Sequence, residues 1–226
     1  VILGTAAAHL LGRGDLALAI LALLVALSLQ VGVNYANDYS DGIRGTDEAR
    51  VGPVRLVGQR LAAPSNVKAA AMLSFAAAAM AGLALVGLSE AWIMLPLGAL
   101  SVLAAWRYTG GDNPYGYRGL GEVYVFVFFG LMATLGTLYT QADAVSWFGL
   151  IGAIGVGALA SAILVANNLR DIPTDIEHGK RTLAVRLGDA RTRTLYVALF
   201  TASVVALGAT AWFEPGALLG LLALPL

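Results

Sequence analysis

The sequence contains no cysteine and only two histidines among its 226 residues. A disulfide framework is therefore excluded, and a zinc site is not expected, since His9 and His178 have no partner at ligand spacing. Charged residues are scarce as well, at 12% against about a quarter in an average soluble domain. Hydrophobic residues make up 58%. This composition excludes an ordinary water-soluble protein.

The apolar residues form long, continuous runs rich in Ala, Leu and Val, without the period-2 alternation of membrane strands. Because lipid admits only helices and closed barrels, the runs predict an all-α, polytopic transmembrane helix bundle. A span requires about 20 helical residues. The full spans that we predict cover roughly residues 16–37, 66–88, 91–107, 122–140, 145–168 and 194–213.

The positive charges are distributed unevenly along the chain. Of the 14 Lys and Arg residues, only Arg13 lies in a short connection, and the others lie in or beside three long polar loops at about 38–65, 108–121 and 169–193. Lys and Arg accumulate on the cytoplasmic side of a membrane. We therefore expect a multi-pass protein of the cell (plasma) membrane whose long loops, and any active site on them, face the cytoplasm.

Each end of the sequence carries an apolar run too short to span a bilayer, from Val1 to about Leu11 and from about Ala217 to Leu226. We expect residues 1–226 to form a single transmembrane domain. We also expect the sequence to be a fragment that lacks part of a first helix and everything beyond the start of a late one.

Two stretches share the pattern A-N-[DN]-x-x-D, one at residues 36–41 and the other at 166–171. Residues i and i+4 share a helix face, so the Asn and Asp of each copy project together. Carboxylates are costly in hydrocarbon unless they pair, reach water or bind a cation. Two copies on one side of the membrane therefore predict a single site that gathers metal ions and an anionic substrate. Sparse oxygen ligands of this kind suit Mg²⁺.

The two copies differ in the residues that come after them. Pro173 cannot donate to a helical ladder, so the second helix should kink or end near Asp171 and turn Asp175 toward the site. The first copy has Gly45 at the corresponding position, and either Asp38 or Asp47 could supply its further carboxylate. The candidate metal ligands are accordingly Asp38, Asp41, Asp171 and Asp175, with Asp47 as the alternative to Asp38.

The second copy, continued to Asp175, resembles the N-x-x-x-D-x-x-x-D motif of the UbiA superfamily of intramembrane prenyltransferases, and the first copy resembles the first motif of that family. Further stretches narrow the likeness to the 1,4-dihydroxy-2-naphthoate polyprenyltransferases of menaquinone synthesis. These stretches are residues 34–45, 52–57, 108–122 and 179–188. The resemblance covers essentially the whole chain, and it is the order and spacing of the motifs that make it specific.

The resemblance implies a UbiA-like bundle of about nine helices in the full protein, with the terminal ones incomplete here. It also implies that the acidic motifs bind Mg²⁺ bridging a polyprenyl diphosphate, whose prenyl group passes to an aromatic acceptor; no nucleic acid is involved. The candidates for stabilising the diphosphate are Lys180, Arg181 and Arg55. The candidates for binding substrate are Asn34, Asn37, Asn167, Tyr108 and Arg118.

An allylic cation must be kept from water, and the membrane-embedded helices offer a dry, apolar chamber. The span that begins at Glu122 carries aromatic residues that could stabilise such a cation or simply pack: Tyr124, Phe126, Phe128 and Phe129. The Gly- and Tyr-rich loop before this span could cover the site, bind the acceptor or be an ordinary turn.

Three other classes of protein share some of these sequence features. A prenyltransferase of the same superfamily could use another aromatic acceptor, such as 4-hydroxybenzoate. A CDP-alcohol phosphotransferase would share the start of the D-x-x-D-G-x-x-A-R signature at residues 38–42, but Gly45 and Thr46 stand where Ala and Arg are required. A cation-coupled carrier would place its acids near the bilayer midplane, whereas the acids of this chain lie at span ends and in loops.

Overall fold

The computed structural model of the protein describes residues 1–46 and 54–217. Every regular element in these residues is helical, which confirms the all-α prediction. The α-helices are α1 (Ile2–Leu10), α2 (Leu16–Ile43), α3 (Pro64–Ser89), α4 (Met94–Arg107), α5 (Gly121–Val125), α6 (Ala133–Ala142), α7 (Trp147–Arg170), α8 (Ile172–Glu177), α9 (Leu183–Leu187) and α10 (Asp189–Thr210). A 3₁₀ turn at Tyr115–Arg118 precedes α5, and a π-helical stretch, Phe126–Met132, joins α5 to α6.

Five helical segments of the described chain are long and apolar enough to cross a membrane: α2, α3, Gly121–Ala142, α7 and α10. The predicted span at 91–107 is different, because α4 has only 14 residues, or about 21 Å of helix. The chain reverses after α3 through Glu90, which adopts a left-handed conformation with φ 56°, and α4 begins only at Met94. The other five segments nevertheless support a multi-pass membrane protein.

Helix α2 packs closely on α3 along most of its length. Gly32 allows this approach, since a Cβ at that position would lie 2.6 Å from the ring of Phe75. Ala36, Ala71 and Phe75 form a buried cluster at this contact. The end of α2 that carries the first acidic motif is therefore held by packing against a neighbouring helix.

Helix α7 packs through small residues along one face, with Gly149, Ala153, Gly157 and Ser161 all buried. A Cβ on Gly130, in the π-helical stretch, would lie 2.4 Å from the Cα of Gly157. The two backbones therefore touch, as small residues permit in membrane helices. This contact fixes the position of the helix that carries the second acidic motif.

The two acidic motifs meet at the same end of the bundle, as their sequence positions predicted. Helix α2 continues to Ile43, beyond the predicted end at residue 37, so the whole first motif is helical. The hydroxyl of Tyr117, in the loop before α5, donates to Asp41, and the backbone N–H of Arg181 donates to the carbonyl of Tyr117. Three separate chain segments are thereby joined around one site.

Candidate active site

A cavity of about 930 Å³ opens between the helices at this end of the bundle. Most of its wall is apolar and comes from α2, α3, α4, α7 and the segment from α5 to α6. Its polar end is lined by a small group of side chains from the two motifs and the loop after the second: Asn37, Asp41, Asn167, Asn168, Asp171, Asp175 and Lys180. The cavity is thus divided into a long apolar part and a charged end.

Asp41 lines the charged end of the cavity and is only 5% exposed. Its Oδ1 accepts a hydrogen bond of 2.7 Å from the Tyr117 hydroxyl, and its Oδ2 lies 3.2 Å from the Lys180 ammonium. The Lys180 nitrogen also lies 4.8 Å from the centre of the Tyr117 ring. The buried acid is therefore balanced by a cation from the loop after the second motif. The predicted role of Lys180 in stabilising a diphosphate stays a prediction.

Tyr117 is a site residue that sequence reasoning missed, although its loop was singled out. Burial raises the pKa of its hydroxyl, and the charge of Asp41 and its hydrogen bond to that residue raise this pKa further. Tyr117 therefore remains a protonated donor to Asp41 at neutral pH. The signal available in the sequence was a tyrosine beside Gly116 and Gly119 in a loop rich in tyrosine, which does not say which tyrosine contacts the acid.

The second motif is broken where Pro173 predicted a break. Helix α7 ends at Arg170, and α8 begins at Ile172 with the proline in its first turn. Asp171 stands between the two helices, and its carbonyl accepts a hydrogen bond of 2.8 Å from the backbone N–H of Asp175. The carboxylate of Asp171 forms two hydrogen bonds, of 2.7 and 3.0 Å, with the guanidinium of Arg170.

Asp175 is turned into the cavity by this break and is 7% exposed. Its Oδ2 accepts a hydrogen bond of 3.1 Å from the hydroxyl of Thr182. Burial raises the pKa of Asp175, Lys180 and Thr182 oppose the rise, and the charges of Asp171 and Asp41 add to it. The three carboxylates are thus close enough to influence one another, which is the arrangement that two motifs facing one pocket require.

Four residues predicted to bind substrate line the cavity: Asn34, Asn37, Asn167 and Tyr108. The amide oxygen of Asn37 accepts a hydrogen bond of 2.9 Å from the hydroxyl of Thr109. The ring of Tyr108 packs edge-on against Tyr115 at a centroid distance of 5.5 Å. The loop before α5 is therefore attached to the first motif at Asn37 as well as at Asp41.

Other candidates take different positions. Asp38 lies outside the cavity wall, and its two carboxylate oxygens accept hydrogen bonds of 2.8 and 3.0 Å from the backbone N–H groups of Leu56 and Val57. Asn37 and Asp41 are four residues apart and share the face of α2 that lines the cavity, whereas Asp38 is turned about 100° from Asn37, toward this loop. Asp38 thus accepts backbone hydrogen bonds in this structure, and its role as a metal ligand stays a prediction.

Among the basic candidates, only some reach the cavity. Arg55 lines it together with Lys180, whereas Arg118 and Arg181 are exposed and lie outside its wall. The alternative acid, Asp47, lies outside the described residues. The structure therefore places Lys180 and Arg55, but not Arg181 or Arg118, on the wall of the cavity.

Aromatic rings continue from the charged end along the cavity wall. Tyr115 stacks on Tyr124 at 3.8 Å between ring centroids, and Tyr124 stacks on Phe128 at 6.0 Å. Phe129 also lines the cavity, but Phe126 does not; its ring packs over Gly157 of α7 instead. Of the four predicted aromatic residues, three border the chamber and one is a packing residue.

The donor set at the charged end fits a cation that binds together with its substrate. Within residues 1–46 and 54–217, no three Asp, Glu, His or Cys side chains lie close enough together to hold a metal ion by themselves. Magnesium is usually held by one or two carboxylates with water and substrate phosphates, and it prefers oxygen ligands. Asp41, Asp171 and Asp175, with the nearby amides, meet that description.

A helical bundle with five segments long and apolar enough to cross a membrane, around an apolar cavity that ends in acids and a lysine, defines an integral membrane protein with an internal binding site. The model of the UbiA prenyltransferase family matches residues 1–226 of this chain. The chain belongs to that family and is a membrane prenyltransferase.

Several curated proteins are similar to the whole chain, and each bears the name 1,4-dihydroxy-2-naphthoate octaprenyltransferase. The protein from Mycobacterium tuberculosis is 57% identical over 226 residues, covering 100% of this chain and 77% of its own length. The protein from Mycobacterium leprae is 55% identical over 230 residues, covering 100% and 76%. The Escherichia coli protein is 40% identical over 235 residues, with the same coverage.

Proposed function

We propose that this chain transfers a polyprenyl group from a polyprenyl diphosphate to 1,4-dihydroxy-2-naphthoate, in the synthesis of menaquinone. The observation that carries the proposal is the placement of Asp41, Asp171, Asp175 and Lys180 at the charged end of an apolar cavity. A polyprenyl diphosphate has the same division into an anionic head and an apolar tail. The names of the similar curated proteins support the choice of acceptor.

The diphosphate would lie at the charged end of the cavity. Lys180 already presents its ammonium group there, and Arg55 lines the same wall, so both are placed to form charge-assisted hydrogen bonds with phosphate oxygens. The carboxylates of Asp41, Asp171 and Asp175 cannot face a diphosphate without a counter-ion between them. We therefore propose Mg²⁺ as the cofactor, which would be held by one or two of these acids together with water and phosphate oxygens, with Asn37 and Asn167 nearby.

The first chemical step breaks the allylic C–O bond, and its electron pair leaves with the diphosphate. A bound Mg²⁺ would supply positive charge that neutralises the diphosphate as its negative charge develops. Tyr117 holds Asp41 in place through their hydrogen bond, and Thr182 does the same for Asp175. The apolar walls exclude water, which would otherwise capture the allylic cation. The faces of Tyr124 and Phe128 border its path.

In the second step a bond forms between the prenyl carbon and the ring carbon that bears the carboxylate. The carboxylate then leaves as CO₂, and the electron pair that it leaves behind restores the aromatic ring. This route removes no hydrogen from the ring, so it requires no base for that purpose. Asn34 and Tyr108 line the cavity beside the first motif and are our candidates for contacting the acceptor.

We further propose that the protein lies in the plasma membrane with this site toward the cytoplasm, as a single transmembrane domain over residues 1–226. The charged end of the cavity coincides with the loops that contain nearly all Lys and Arg residues. Such loops remain on the cytoplasmic side. To test this orientation, a cysteine is introduced at an exposed position of the 108–120 loop. Its labelling by a thiol reagent is then compared between sealed cells and open membranes.

The decisive experiment incubates membranes containing the chain with Mg²⁺, a polyprenyl diphosphate and one aromatic acceptor at a time, and identifies products by mass. We expect a prenylated product from 1,4-dihydroxy-2-naphthoate that has lost CO₂, and none after chelation of the metal. A product formed only from 4-hydroxybenzoate would move the protein to another acceptor of the same family. Absence of any Mg²⁺-dependent prenylated product would refute the proposal.

A further inference from the structure

Glu122 is a buried acid that the proposed reaction does not use. It lies in the first turn of α5 and is 7% exposed. Its Oε1 accepts a hydrogen bond of 2.9 Å from the amide nitrogen of Asn168, and its Oε2 is buried without a hydrogen-bond partner among the described residues. Leaving a buried polar atom unpaired is costly, so packing alone does not favour an acid at this position.

The backbone of Glu122 is attached to the same helix as its side chain. Its carbonyl accepts a hydrogen bond of 3.1 Å from the hydroxyl of Ser161, which is buried on α7. Ser161 and Asn168 are about two turns apart and therefore lie on the same face of α7. Glu122 is thus fixed to α7 at two points, and the position of its carboxylate relative to Asn168 is determined by the fold.

The contact with Glu122 selects one of two orientations of the Asn168 amide. An asparagine side chain has an acceptor oxygen on one branch and a donor nitrogen on the other, and here the nitrogen donates to Oε1 of Glu122. The donor branch must therefore face Glu122, and the oxygen must lie on the branch directed away from it. Asn168 lines the cavity next to Asn167 and close in sequence to Asp171. The reverse orientation would place two acceptors against each other.

We propose that Glu122 is a positioning residue that holds the amide of Asn168 so that its oxygen, and not its nitrogen, serves the cation and diphosphate at the charged end of the cavity. Partners of this kind orient the groups that contact a metal, and their loss typically costs 10- to 100-fold in metal affinity or activity. The inference rests on the proposed function, because it assumes that a divalent cation binds beside Asp171.

The test measures binding rather than turnover. The full chain, purified in detergent, is titrated with Mn²⁺ in the presence of inorganic diphosphate, and its thermal unfolding is followed at each concentration. We expect Glu122→Leu and Asn168→Ala each to raise the Mn²⁺ concentration for half-maximal stabilisation by roughly 10-fold. Glu122→Gln should stay close to the wild type, because its side-chain oxygen can accept the same hydrogen bond.

The double variant distinguishes positioning from a structural role. If Glu122 acts through Asn168, then Glu122→Leu will add no further change in a chain that already carries Asn168→Ala. Additive shifts, or an unchanged Mn²⁺ requirement in Glu122→Leu, would overturn the inference. Should Glu122→Leu be too unstable to purify, Glu122→Asp replaces it, since the shorter acid keeps the charge but cannot reach Asn168, and the same outcomes apply.

A matched control and the wild type separate this inference from the proposed function. Glu214→Leu removes an exposed acid and should leave the Mn²⁺ titration unchanged. If the wild type shows no stabilisation by Mn²⁺ with diphosphate, the proposed function fails and the positioning role fails with it. If the wild type responds and Glu122→Leu responds identically, only the positioning role is wrong.

Discussion

The two acidic motifs share a sequence pattern, but the fold uses them differently. The first lies entirely on α2, which continues unbroken to Ile43. The second spans a break, with Asn167 on α7, Asp171 at the junction and Asp175 on α8. The first therefore directs one acid into the cavity, Asp41, while the second directs two. A repeated motif thus produces an asymmetric site, and the break in the backbone makes the difference.

The asymmetry also extends to the neighbouring acid of the first copy. Asp38 accepts hydrogen bonds from the backbone N–H groups of Leu56 and Val57. The same loop contains Arg55, which lines the cavity. In the second copy the corresponding position is Asn168, whose amide is held by Glu122. The first copy thus organises a loop, and the second organises a pair of helices.

The largest expected effect falls on the acids that the two copies share. Asp41→Asn and Asp171→Asn should each lower the rate of prenyl transfer by roughly 1000-fold, because each removes a charge from the cation and diphosphate site. Initial rates in membranes with matched amounts of protein measure this effect. Asp189→Asn, which removes an exposed acid paired with Arg193, is the control and should retain activity. Near-normal rates in both motif variants would remove the acids from the mechanism.

The next effect concerns the break that separates the two copies. Pro173→Ala restores a backbone N–H and lets α7 continue toward α8, which would carry Asp175 away from the cavity. We expect the rate to fall roughly 10- to 100-fold, as small displacements in an active site do. Pro64→Ala, at the first turn of α3, is the matched control. A fully active Pro173 variant would mean that other contacts maintain the break.

A third change tests whether Asp38 is a metal ligand, as predicted, or a structural residue that holds the loop at Leu56 and Val57. Asp38→Asn should lower the free energy of unfolding by about 2 kcal/mol, since a buried carboxylate accepts two backbone hydrogen bonds. In a chain of this size the unfolding midpoint should fall by roughly 4–8 °C. The Mg²⁺ concentration for half-maximal activity should stay unchanged. An altered Mg²⁺ requirement at an unaltered unfolding midpoint would instead support Asp38 as a metal ligand.

The smallest expected change in stability is a gain, produced by substituting Asp175. Because folding raises the pKa of this carboxyl group, its ionised form opposes folding at neutral pH. Asp175→Asn should therefore raise the unfolding midpoint of the metal-free protein by a few degrees at most, although it removes activity. The gain is present above the folded pKa and disappears as the pH falls below the unfolded value. Midpoints measured between pH 4 and pH 8 test this; a gain at low pH alone would contradict it.

The sequence predicted those features that the membrane itself imposes. Hydrocarbon requires long apolar helices, so five of the six spans were found, and the cost of carboxylates in lipid singled out Asp41 and Asp171. Proline chemistry placed the break at Asp171 correctly. The exception among the spans, α4, is short because the reversal at Glu90 delays its start, which an apolar run from Ala91 does not reveal.

The features that the sequence did not predict depend on contacts between distant segments. Tyr117 reaches Asp41 across 76 positions, and Asn168 reaches Glu122 across 46. Neither pair follows from local periodicity, since helical spacing reports only neighbours three or four residues away. The hydrogen bonds of Asp38 were missed for the same reason, because its partners lie in a loop whose path is set by tertiary structure.

The π-helical stretch Phe126–Met132 affects how this cavity can change during evolution. A π turn accommodates one more residue than an α turn, and such turns occur frequently at functional sites. Two of its residues make contacts described above: Phe128 stacks on Tyr124, and Gly130 touches Gly157 of α7. Deleting one residue here would rotate every later side chain of the segment by about 100°. Relatives with a different chamber could therefore arise by single-residue insertion or deletion, and the length of this segment should be compared among them before its composition.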